Sequence, residues 1–112
     1  MRGVRIGAGV CIAGLLSAGV AGAQSTGIDV QRAKSLFESN ECAGCHQIDT
    51  KLVGPGLKQI AGRYRDDKDA PRRLLEKVRK GGAGVWGEIP MPPHAEAKDD
   101  ELKLVISWIL SH

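Results

Sequence analysis

The stretch Glu41-Cys42-Ala43-Gly44-Cys45-His46 reads ECAGCH. Two cysteines two residues apart, with a histidine directly after the second, suit four chemistries. They are a disulfide, half of a metal site, a redox dithiol, or the attachment point of a haem. Each belongs to a different kind of protein, and the rest of the chain separates them.

The chain has 112 residues, enough for one domain. Its start is not domain-like. Arg2 and Arg5 precede an uncharged stretch, 6–20, rich in Gly, Ala, Val, Ile and Leu, which ends at Ala21-Gly22-Ala23. A positive start, an apolar middle and an A-x-A site make a secretory signal peptide. Residues 6–23 are 18 in number, the lower edge of a membrane span, and five are glycine. The expectation is a cleaved leader at 1–23, a domain at 24–112, a periplasmic location and no stable membrane insertion. Cys11 follows Val10, which is no lipoprotein processing site, and takes no role.

Formal net charge is +3, and removing Arg2 and Arg5 leaves 14 basic against 13 acidic side chains, net +1. No dense basic run with interleaved aromatics exists, so nothing supports nucleic-acid binding. Export permits disulfides, but only Cys42 and Cys45 remain to form one, closing a very small loop. Four aromatics and 15 glycines make a thin core. A large apolar cofactor would remedy that deficit in so short a chain.

The patterning is helical throughout. Val30, Ala33, Leu36 and Phe37 form one apolar stripe, predicting a helix over about 29–39 with Asp29 as N-cap and Asn40 at the exit. Leu57, Ile60, Ala61 and Tyr64 predict a short second helix. A third fits 70–80, with Asp69 to cap it, Pro71 in its first turn, Gly81-Gly82 to stop it, and Leu74, Leu75 and Val78 as its buried face. Pro90, Pro92 and Pro93 keep 83–97 a loop. The last helix covers about 99–110, with Leu102, Val105, Ile106 and Ile109 inward and three acids in its first turn.

Against that frame the four chemistries separate. A structural zinc site needs four ligands, and His94 and His112 lack a paired spacing. A redox dithiol needs a βαβ context. A plain disulfide gives His46 no role. C-x-x-C-H as a c-type haem attachment uses every position: two thiols add across the two vinyl groups, and the histidine is held under the iron. Met91, the single methionine of the exported part, then offers a sixth ligand from Ile89-Pro90-Met91-Pro92-Pro93. Met91 as a mere gap-filler, and His94 as a rival ligand three residues on, are the competing readings.

These motifs resemble a known family. Cys42 to Lys51, then Val53-Gly54-Pro55, Gly84 to Pro93 and Ser107-Trp108-Ile109-Leu110-Ser111 look like a class I bacterial cytochrome c of the small cytochrome c-551/c-552 type, over essentially all of 28–112. The resemblance implies an all-α fold of four to five helices wrapped around one covalent haem c. It implies that Pro55 accepts the Nδ1–H of His46, that Trp86 contacts a haem propionate, and that Lys77 is a basic residue near the inner propionate. Phe37 is read as core against the haem. Two departures stand out. His94 sits where the family often has Asn, and Lys98 replaces a Ser that would cap the last helix, moving the cap to Asp99.

His46 and Met91 together leave no open position on iron. The expected function is therefore a one-electron shuttle and not an enzyme. The alternative is a haem ligand-binding or peroxidatic protein with Met91 off the iron; a third reading is a haem-free helical protein with a Cys42–Cys45 disulfide. Residues 51–80 carry ten basic and four acidic side chains, net +6. That asymmetry suits steering toward an acidic partner. By resemblance the partners of this expected monomer are a quinol-oxidising complex upstream and a nitrite reductase or cytochrome oxidase downstream. A haem stain that survives denaturation is expected; loss of the stain would return Cys42 and Cys45 to the disulfide reading.

Overall fold

The computed structural model describes residues 27–112, with Gly3, Gly7, Gly9, Val10, Gly14 and Gly19 as isolated positions. Most of the expected leader, including Cys11 and the Ala21-Gly22-Ala23 site, lies outside the described residues. Among those residues four α-helices and one 3-10 turn form the fold, with isolated antiparallel bridges at His46–Lys51 and Gly82–Met91. The chain is all-α.

Helix α1, Val30–Ser39, begins as its pattern predicts: Asp29 Oδ1 accepts from the Arg32 N–H at 3.0 Å. Ala33 and Phe37 are buried, Leu36 is half-buried, and Val30 stays exposed at the first turn. Asn40 stands at the exit as expected, with φ −90°; its Nδ2 donates to Leu36 O at 2.8 Å, and Glu41 takes the left-handed turn at φ 60°. That conformation costs a non-glycine residue about 1–2 kcal/mol. It turns the chain sharply into the 3-10 turn Cys42–Gly44.

Helix α2, Leu57–Tyr64, starts where Gln59 Oε1 accepts from the Gly56 N–H at 2.8 Å. It buries Leu57, Ile60 and Ala61. Helix α3, Ala70–Lys80, has the predicted bounds but not the predicted cap. Arg72, one turn on, draws the Asp69 carboxylate into two bonds of 3.0 and 2.6 Å and holds its carboxyl below the usual range. The expected buried face is also corrected. Leu74, Leu75 and Val78 are only half-buried, and Leu74 and Val78 line a cleft.

Helix α4, Asp99–Leu110, packs against all three other helices. Leu102, Val105, Ile106 and Trp108 are buried, while Ile109 is half-buried on the cleft. Trp108 meets Phe37 of α1 edge to face, centroids 5.4 Å apart, the arrangement that the ring quadrupoles favour. Asp99 does not cap α4. It is the first helical residue, and its carboxylate accepts from Arg79 Nε at 2.6 Å.

Arg79 is the tie between α3 and the segment leading into α4. Besides Asp99 it reaches Ala95 O at 3.0 Å and Ala97 O at 2.6 Å. Only a planar guanidinium offers donors in that fork. Arg79→Ala is expected to lower stability by about 1–3 kcal/mol, and Arg79→Lys to recover little. Urea denaturation of the holoprotein checks this; an unchanged midpoint in Arg79→Ala contradicts it.

Candidate functional site

The motif turn, the 51–55 loop, α3, the 82–92 loop and α4 enclose a mostly apolar cleft that is partly open to solvent. Cys42, Cys45, His46, Pro55, Lys77, Trp86 and Met91, all singled out in the sequence, line it together. Phe37 reaches it from the core side.

The motif turn is built by short-range bonds. Cys45 N and His46 N both donate to Cys42 O, at 3.1 and 3.0 Å. The loop after it folds back: Gly54 N donates to Cys45 O, and Leu57 N to Gln47 O, each at 2.8 Å. This return brings the Pro55 carbonyl to His46 Nδ1 at 2.7 Å. A carbonyl only accepts, so Nδ1 carries the proton and Nε2 keeps the lone pair. Gly54 makes the approach feasible, since a Cβ there would stand 2.6 Å from His46 Cε1.

Cys42 and Cys45 are free, half-buried thiols. Burial pushes the Cys42 thiol up, partly opposed by its own backbone hydrogen bond and reinforced by the neighbouring Cys45.

Met91 enters on a loop that is fastened to the end of α3. Its N–H donates to Gly82 O at 3.0 Å, and Gly82 N–H donates to Met91 O at 2.9 Å. Gly81 (φ 66°) does more than stop α3: a Cβ there would collide with the Met91 carbonyl and stand 2.8 Å from Pro93 N. His94, the rival ligand, is not on the cleft. Its Nε2 donates to Asn40 O at 3.1 Å.

Lys77 lines the cleft and, among the described residues, sits in no ion pair. Trp86 is half-buried, and the Arg63 guanidinium lies over its ring at 4.9 Å while Nη1 donates to Val85 O at 3.3 Å. Sequence reasoning missed Arg63. It reads as a solvated position on α2, and its partner lies in a loop 22 residues away. The donor set fits a covalently attached haem: two unbridged thiols, an imidazole with a bare Nε2 and a thioether share one apolar cleft.

Comparisons with known proteins agree with this chemistry. The family model described as Cytochrome c matches residues 30–112. Cytochrome c-552 of Nitrosomonas europaea is 47% identical over 76 residues, 68% of this chain and 74% of that protein. Cytochrome c-551 of Pseudomonas aeruginosa is 43% identical over 76 residues, 68% of this chain and 72% of the relative. The crystal structure of wild-type Nitrosomonas europaea cytochrome c552 superposes with a TM-score of 0.67 at 46% identity, covering 70% of this chain and 96% of that one.

Gly54→Ala is expected to force the His46 ring off Pro55 and to cost about 1–3 kcal/mol, as overpacking does. Gly62→Ala, where a Cβ meets nothing within 4 Å inside α2, is expected to be neutral or mildly stabilising. Equal denaturation midpoints for the two variants would contradict the close approach at Gly54.

Proposed function

This chain belongs to the cytochrome c family and carries one covalently bound haem c, and from that premise we propose that it is a soluble periplasmic one-electron carrier with His46 and Met91 as axial ligands. The observation that carries the reading is the shared cleft: a lone-pair Nε2 on His46 and the Met91 loop border it beside both thiols.

When bound, the haem supplies one-electron exchange between ferric and ferrous iron. Cys42 and Cys45 hold it as thioethers. Pro55 fixes the His46 tautomer and, by accepting a hydrogen bond from its Nδ1–H, raises the basicity of the ring. Met91 offers a neutral sulfur with no proton to lose. The apolar walls resist net charge and favour the ferrous state, which raises the potential. Lys77 and Trp86 offer an ammonium and an indole N–H to the carboxylates of the group. With both axial sites taken by the chain no position is left for substrate, so the reading is a carrier and not an enzyme. The peroxidatic alternative needs Met91 to leave, which its paired backbone bonds to Gly82 oppose.

Docking is weak and transient in this reading. Val53, Val85 and Ile89 are exposed apolar residues on the rim of the cleft. Lys51, Arg63, Arg65, Lys68 and Lys77 form no ion pair among the described residues. That surplus favours an acidic partner and faster association at low salt. A quinol-oxidising complex upstream and a nitrite reductase or cytochrome oxidase downstream fit the role. The proposed protein is a monomer released by cleavage after Ala23, and no described helix is long and apolar enough to cross a membrane.

The ferric protein is expected to show a methionine–iron charge-transfer band that Met91→Ala abolishes. A high-spin ferric spectrum in the wild type would sink the proposal. Turnover with a terminal reductase is expected to fall as ionic strength rises; a flat salt profile contradicts steering.

A further inference from the structure

We propose that His94 is a positioning residue, which clamps the Met91 loop to the haem-attachment turn through the Asn40 carbonyl. The inference rests on the reading of Met91 as an axial ligand. His94 joins three parts of the fold. Its backbone N–H donates to Val78 O on α3 at 3.0 Å, and its Nε2 donates to Asn40 O at 3.1 Å. Asn40 is itself anchored, since its Nδ2 donates to Leu36 O at 2.8 Å. It lies two residues before Cys42. The imidazole therefore spans from the segment that follows Met91 to the segment that precedes the first attachment cysteine.

The chemistry of attachment strengthens the case. The Cys42 thiol also points its proton at Asn40 O, at 3.8 Å. Forming the thioether removes that proton: the sulfur bonds to carbon, and the hydrogen passes to the other carbon of the vinyl group. No other donor to this carbonyl exists among the described residues, so His94 alone satisfies it afterwards. The cost of the arrangement is visible too. With the proton on Nε2, His94 Nδ1 is a buried lone pair without a partner. An apolar side chain would fill the position without that penalty, so the residue is explained by the bond it makes at Nε2. Pro92 and Pro93 transmit the hold. They are the only residues between His94 and Met91, and each has a locked φ. One end of the Met91 loop is fixed at Gly82 and the other at Asn40.

The test uses the ferric holoprotein with His94→Phe, which keeps an aromatic ring but no donor, and His94→Gln, which restores one. In His94→Phe, hydrogen exchange at the Met91 and Gly82 amides is expected to quicken about fivefold to tenfold, the worth of one hydrogen bond. Displacement of the axial methionine by added imidazole is expected to tighten by a similar factor. Amides in the middle of α4 change less, and His94→Gln returns both readouts to within about twofold of wild type. Wild-type exchange at both amides in His94→Phe overturns the clamp, as does a Gln variant that recovers nothing. A wild type lacking the charge-transfer band overturns Met91 ligation instead, while amide exchange still decides the clamp. If His94→Phe does not fold, nitrogen NMR of the wild type decides. A slowly exchanging Nε2–H on His94 supports the clamp, and an Nδ1-protonated ring overturns it.

Discussion

The 2.7 Å hydrogen bond from His46 Nδ1 to the Pro55 carbonyl is the contact on which the site depends. It assigns the ring proton and leaves Nε2 as the nitrogen with a lone pair. It also joins two lengths of backbone: the turn that carries both cysteines and the approach to α2. Gly54 is required beside it, because the ring occupies the space a side chain would take. One bond thus fixes a tautomer, a ring orientation and a loop path together. The return of the loop is paid for in ordinary backbone bonds, from Gly54 to Cys45 and from Leu57 to Gln47.

The other wall is held by different means. Met91 has no comparable side-chain bond; its position comes from paired backbone bonds to Gly82 and from the absence of a side chain at Gly81. Helix α4 packs against the other three helices. Trp108 faces Phe37 of α1 and carries the core, while Val105, Ile106 and Ile109 reach the cleft. The chain divides its few large apolar residues between a small core and a cofactor wall. That division explains why Leu74 and Val78, apolar at helical spacing, are only half-buried.

Much of this was legible in the sequence, for local reasons. Helices α3 and α4 end where their periodicity, Pro71, Gly81 and the acidic first turn say they should. Asp29 caps α1 through the Arg32 N–H. Asp69 and Asp99 do not cap, because Arg72 and Arg79 reach their carboxylates first, and pattern alone does not rank such competitors. Cys42, Cys45, His46 and Met91 were singled out through a motif and a proline-rich loop, and Pro55 through the family resemblance. Arg63 over Trp86 and His94 on Asn40 were not, since their partners are 23 and 54 residues away and no periodicity links them. Gly54 entered only as part of the family-like run 53–55, and Gly81 as a helix stop; their closeness to His46 and to the Met91 loop is tertiary.

The central claim is that the two walls present His46 and Met91 to one iron. Proton NMR of the ferrous holoprotein addresses it directly, because a methyl group held over the face of the haem ring is strongly shielded. The account predicts that the Met91 ε-methyl resonance lies far upfield of every other methyl, as a single sharp signal. A Met91 methyl at its ordinary position would contradict it.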